Sequence, residues 1–115
     1  MRCQVTEDWT ATYPDPITLR AGEALVPDGR EDLWDGHRWI WAANAAGLEG
    51  WVPDTLARRR GRGWVAARDY SAKELTCRVG EILDVIEATH GWHLCRNAVG
   101  REGWVPDRNL RRLPG

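Results

Sequence analysis

The chain has 115 residues and a net charge of −1, with eight tryptophans, two tyrosines, no phenylalanine and three cysteines. Its length suggests a single domain, and an odd number of cysteines behind a start with no apolar leader, Met1 to Asp8, argues against a secreted disulfide framework. No apolar run approaches the ~20 residues of a spanning helix, so no membrane partner and a cytoplasmic location are expected.

The charge is unevenly placed. Residues 1–57 carry four arginines against ten acids, a net −6, and residues 58–63 add four arginines, Arg58, Arg59, Arg60 and Arg62. Residues 64–115 carry eight basic and seven acidic side chains, a net +1. An acidic body is therefore followed by an arginine string.

Taken along the chain, the elements come twice. Asp8-Trp9 is followed by Ile17-Thr18-Leu19, a Gly22-Glu23 turn, Trp39 and the stretch from Gly47 to Pro53. After the arginines comes a strand from Trp64 to Arg68, then strands over Glu74 to Arg78, Glu81 to Ala88, Trp92 to Arg96 and Arg101 to Val105. Asn97 to Gly100 forms a hairpin turn before the last of these. Leu48-Glu49-Gly50-Trp51-Val52-Pro53-Asp54 returns as Arg101-Glu102-Gly103-Trp104-Val105-Pro106-Asp107, six of seven residues identical at a spacing of 53. Trp39 and Trp92 keep that spacing, Gly22 and Gly80 stand 58 apart, and Asp8 and Asp69 stand 61 apart. The first copy therefore carries five extra residues between Gly22 and Trp39 and three between Asp8 and Gly22, insertions of the kind loops tolerate. Short strands with frequent turn signals and no helical periodicity predict an all-β chain of two small five-stranded barrels. The expected boundaries are 1–57 for the first barrel, 58–63 for an arginine-rich linker and 64–115 for the second.

The ordered motifs Ala66-Ala67-Arg68-Asp69-Tyr70, Glu74-Leu75-Thr76-Cys77, Gly80-Glu81, Gly91-Trp92 and Gly100 to Pro106 resemble those of the SH3 family. The first copy repeats their order, and its Tyr13-Pro14-Asp15-Pro16 stretch is similar to the acidic, proline-bearing loop of bacterial variant SH3 domains. The resemblance, to a tandem bacterial SH3-type protein, spans nearly the whole chain. It implies two SH3-like barrels with aromatic peptide grooves, made by Trp9, Trp39, Trp51 and Pro53 in the first copy and by Tyr70, Trp92, Trp104 and Pro106 in the second. Asp15, Glu31, Asp32 and Asp35 in the first, and Glu74 in the second, are the acids expected to orient a ligand Arg or Lys. A polyproline II ligand is already extended, so binding it costs little chain entropy, and indoles supply both flat area and an N–H donor. The family's first groove tyrosine is replaced by Glu7 and Arg68, and its last by Asn109 in the second copy, whose specificity loop is also three residues shorter. The first copy is therefore expected to be the binding half.

Alternation puts Trp39 and Trp41 on one face of a strand with Ile40 opposite. Cys77 and Cys95 stand at core positions as small hydrophobes. His37, His90 and His93 make no zinc-ligand spacing with any cysteine. No nucleophile–base pair, P-loop or dinucleotide fingerprint occurs, so neither catalysis, a cofactor nor a metal is expected. The reading is a non-catalytic adaptor module for proline-rich or extended peptides. The alternatives are a structural or oligomerising protein with degenerate grooves, or a cell-wall-binding SH3-like module. The arginine string is most simply a solvated linker; as a built-in ligand it would occlude the acidic first half, and nucleic-acid binding through it ranks last.

Overall fold

A computed structural model describes residues 1–12, 16–34 and 36–114. The chain is all-β, with twelve strands and two 3-10 turns among the described residues. In order they are β1 (Arg2–Val5), β2 (Thr18–Leu19), β3 (Ala24–Trp34), β4 (His37–Ala43), β5 (Glu49–Pro53), the turn Asp54–Leu56, β6 (Ala57–Arg60), β7 (Gly63–Ala66), β8 (Tyr70–Ser71), β9 (Ile82–Thr89), β10 (Trp92–Arg96), β11 (Glu102–Pro106), the turn Asp107–Asn109 and β12 (Leu110–Arg112). The strand expected over Glu74 to Arg78 is present only as two isolated bridges, Trp9 with Cys77 and Glu74 with Trp104.

The strands form two five-stranded antiparallel sheets, ordered β11-β10-β9-β1-β12 and β5-β4-β3-β7-β6, with a separate β2-β8 pair. The chain divides into two compact units, and the division differs from the expected 1–57, 58–63 and 64–115. Unit 1 is Met1–Pro14 with Lys73–Gly115, and unit 2 is Asp15–Ala72. The opening strand of each repeat is thus built into the sheet of the other. Residues 58–63 are no linker: Arg58, Arg59 and Arg60 belong to β6, which pairs with β7 in register Arg58↔Val65, Arg59↔Trp64 and Arg60↔Gly63. A string held in a hairpin is not a free segment able to fold back as a tethered ligand.

The exchange is possible because the two opening strands are equivalent in register. Cys3 pairs with Leu83 and Arg112, while Trp64 pairs with Leu25 and Arg59. These partners are related by the sequence spacings of 58 and 53, and Cys3 and Trp64 by the spacing of 61. Either strand therefore meets the same backbone ladder in either sheet. Their side chains differ. Cys3 is 2% exposed and Trp64 is 37% exposed, so the reverse arrangement would drive an indole into the place of a buried thiol. Inserting volume into a packed site typically costs about 1–3 kcal/mol.

Unit 1 has its core in Val5, Leu75, Cys77, Leu83, Cys95 and Val105, with Trp9, Val85 and Leu110 packed on it. In unit 2, Ile17, Leu19, Leu25, Ile40, Val52 and Leu56 are buried. The five extra residues of the first repeat lie in the β3–β4 hairpin. One widens the bulge between Pro27 and Glu31, and four lengthen the hairpin beyond Trp39. Asp28 closes the bulge by accepting from the Arg30 amide at 2.9 Å and from its Nε at 2.8 Å. Those bonds hold the Asp28 carboxyl below the usual carboxylate range.

At equivalent places, Gly50 and Gly103 let the returning loop segment lie against β5 and β11. A Cβ on Gly103 would stand 2.6 Å from the Leu75 amide nitrogen and 2.7 Å from the Glu74 carbonyl carbon, both backbone, whereas one on Gly50 would meet the Ile17 Cγ2 at 2.9 Å. Gly103→Ala is expected to destabilise the protein by about 3 kcal/mol and Gly50→Ala by about 1 kcal/mol, read as shifts of the urea midpoint. The exchange itself is checked by cross-strand nuclear Overhauser contacts. Cys3 should connect to Leu83 and Arg112, and Trp64 to Leu25 and Arg59; contacts from Trp64 to Leu83 would show each opening strand in its own repeat.

Candidate peptide-binding surfaces

In unit 1, β10 and β11 pair Trp92 with Pro106 and Leu94 with Trp104. The N-terminal segment brings Trp9 to this edge. Its backbone is pinned to Cys77 by bonds of 3.0 and 2.8 Å, and its ring meets Trp92 edge-on, with centroids 5.5 Å apart and planes at 79°. Edge-to-face geometry sets the positive ring edge against the negative face of its neighbour. The Trp9 indole N–H donates to Glu74 Oε1 at 3.1 Å, and Glu74 also accepts from the Thr12 amide at 3.2 Å and its hydroxyl at 3.0 Å. Glu74, expected to receive a ligand cation, is therefore a latch on the loop that carries Trp9. Asn109, at the family's last groove tyrosine, is 4% exposed and donates to the Glu7 and Asp8 carbonyls at 3.2 and 3.1 Å. It ties down the segment that delivers Trp9.

In unit 2, β4 and β5 pair Trp39 with Pro53 and Trp41 with Trp51, so the three indoles stand on one face, with Ile40 buried on the other. Trp41 and Trp51 meet edge-on at 5.2 Å and 80°. The Arg30 guanidinium lies 4.7 Å from the Trp41 ring centre, a cation–π contact. The Trp41 N–H donates to Glu49 Oε1 at 3.3 Å. Asp32 is directly opposite Trp39 in the β3–β4 register and is exposed, so its carboxylate shares the Trp39 face. Glu31 points the other way, with Ile40, and is ion-paired with Arg38, which also approaches Asp54 at 3.8 Å. Asp15 and Asp35, the other two expected acids, lie outside the described residues.

The expected grooves are thus regrouped. Trp9 belongs with Trp92, Trp104 and Pro106 in unit 1, and Tyr70 belongs with Trp39, Trp51 and Pro53 in unit 2. Burial thins them further. Trp104 is 6% exposed, Tyr70 is 9%, and Pro53 and Pro106 are below 2%. These four are buried, whereas Trp9 and Trp92 in unit 1 and Trp39, Trp41 and Trp51 in unit 2 are half-buried. The Arg30 stack on Trp41 was not foreseen, although the arginine sits in the inserted stretch and Trp41 shares the period-two face of Trp39.

The three cysteines are free and buried, all in unit 1. Burial pushes each thiol up; that of Cys95 rises to about 12, with Cys3 and Cys77 nearby adding to the effect. Thiols held protonated in a core are poor nucleophiles. Among the described residues no group of three His, Cys, Asp or Glu side chains could hold a metal ion, and no helix is long and apolar enough to cross a membrane.

Residues 2–59 match the variant SH3 domain family, and residues 65–107 match the SH3 domain family. The chain is also similar to epidermal growth factor receptor kinase substrate 8-like protein 3 of Mus musculus, with 41% identity over 44 residues. That stretch is 38% of this chain and 7% of the mouse protein, so the chain spans only a small part of that relative's length. No solved structure matches the chain. Two matched repeats, an all-β architecture and the recurring Gly-Trp-Val-Pro segment show that the chain belongs to the SH3 family as a tandem SH3 protein.

Proposed function

We propose that the protein is a non-catalytic adaptor that binds proline-rich or otherwise extended peptides through its half-buried tryptophan pairs. Membership of the SH3 family supports a protein-interaction module. The observation that carries the finer reading is Trp39 standing beside exposed Asp32 on one face of unit 2. A flat indole takes a proline ridge, and a carboxylate one strand away takes the ligand's Arg or Lys and fixes its direction. The Trp9–Trp92 pair of unit 1 offers a similar wall, but its acid, Glu74, is engaged by Thr12 and Trp9, so that surface suits neutral proline peptides. The working location proposed for such an adaptor is the cytoplasm.

The burial of Tyr70, Pro53, Trp104 and Pro106 favours a second reading, a structural protein with degenerate grooves. A two-dimensional amide and indole NMR titration with basic and neutral proline-rich peptides separates the two. Basic peptides are expected to shift the Trp39 and Trp51 indoles saturably. Trp39→Ala should weaken binding at least tenfold, as loss of an aromatic anchor does, and Asp32→Asn should reduce the preference for basic over neutral peptides. If no indole moves with any peptide while the spectrum stays dispersed, the structural reading takes its place.

A further inference from the structure

β6 is the outermost strand of its sheet, next to β7 alone. Its hydrogen-bonding direction follows from the register. The Ala67 amide donates to the Leu56 carbonyl at 2.7 Å, and the pairs Arg58↔Val65 and Arg60↔Gly63 continue that ladder. In an antiparallel strand alternate residues turn both backbone groups to the same side. Arg58 and Arg60 therefore bond to β7, while Ala57 and Arg59 turn theirs outward. The Ala57 N–H is used by the Asp54 carbonyl. The Ala57 carbonyl and both polar backbone groups of Arg59 are left on the open edge.

Side chains alternate in step. Ala57 and Arg59 share the face of Trp64, with the Arg59 guanidinium 5.4 Å from that ring, and Arg58 and Arg60 point to the other face. Beside the Trp64 face lies a cleft of about 190 Å³ with Pro27, Ile40, Ala57 and Trp64 among its walls and Arg38 and Asp54 among its polar groups. Trp64 is one of the exposed large apolar side chains. No ion pair engages Arg58, Arg60 or Arg62 among the described residues.

We propose that the β6 edge is a second docking surface, separate from the tryptophan faces, for an extended segment in which acidic and apolar residues alternate. The segment's backbone adds as a sixth strand on the outward groups of Ala57 and Arg59. Its carboxylates meet Arg58 and Arg60 on one face, and its apolar side chains turn to the other, where one enters the cleft beside Trp64. The charge of the edge selects an acidic partner, and the period of two fixes its pattern.

The test is an amide NMR titration of the full chain with acetyl-(Glu-Val)3-Glu-amide. Three control peptides carry Lys for Glu, Ser for Val, or N-methyl groups on alternate backbone nitrogens. The expected result is a set of saturable shifts at Ala57 to Arg60 and at the Trp64 indole, with affinity falling as salt rises. The Arg58→Glu/Arg60→Glu variant should weaken binding at least tenfold while its other seven indole signals stay in place. The N-methylated and Ser peptides should each bind more weakly than the parent. Equal binding of the Lys peptide, shifts on the Trp39 face in place of β6, or no shift at β6 would overturn the proposal. In that event the arginines only guard an open strand edge against self-association, and the double variant would aggregate without any change in peptide binding.

Discussion

Everything else in the molecule rests on the insertion of β1 between β9 and β12, and of β7 between β3 and β6. Each inserted strand is the sole connection of an edge strand to its sheet, since β12 bonds only to β1 and β6 only to β7. Removing either one would leave three strands and a stranded fourth. Half-chains of this size bury only about 60% of their unfolded surface and have little stability to spare. Because each unit takes its key strand from the other repeat, the two repeats form one folding problem. A lesion in β1 is felt in the unit that contains residues 73–115.

The repeats were legible in the sequence because Gly-Trp-Val-Pro-Asp recurs with constant spacing. So was the period-two placement of Trp39, Trp41 and Ile40, because alternation is a property of any strand. The exchange was not legible from spacing, and for a physical reason. The opening strands have equivalent registers in both sheets, so the same hydrogen bonds form whether each stays at home or crosses over. What breaks the tie is side-chain volume, a thiol at Cys3 against an indole at Trp64, and the value of that difference depends on the depth of a site that only the fold reveals.

The proposed binding surfaces were half legible for a related reason. A tryptophan at a family groove position can lie open or fold into the barrel wall, and sequence does not separate the two. Trp51 and Trp104 occupy the same place in their repeats, yet Trp51 is half-buried and Trp104 is buried. In unit 2 the paired residue is Trp41, which props Trp51 edge-on, whereas in unit 1 it is Leu94, which is no ring at all. Likewise Glu74 reads as a ligand acid from its loop, but the crossover places Thr12 and Trp9 against it, and both its oxygens accept hydrogen bonds there.

The crossover also changes what binding does to the fold. Trp9 and Trp92 come from different repeats and meet only because β1 is in unit 1. A ligand on that pair binds only the exchanged arrangement and stabilises it by RT ln(1 + [L]/Kd). The Trp39 face of unit 2 is different, since β3, β4 and β5 all come from one repeat and hold Asp32, Trp39 and Trp51 without help from the crossover. The β6 edge falls between these cases. Its arginines belong to the first repeat, but Trp64, which lines the cleft beside them, comes with β7 of the second. Occupancy of unit 1 and of the β6 edge therefore favours strand exchange, while occupancy of the Trp39 face is indifferent to it. Two of the three proposed surfaces would then tighten the molecule as they fill, and the third would leave it unchanged.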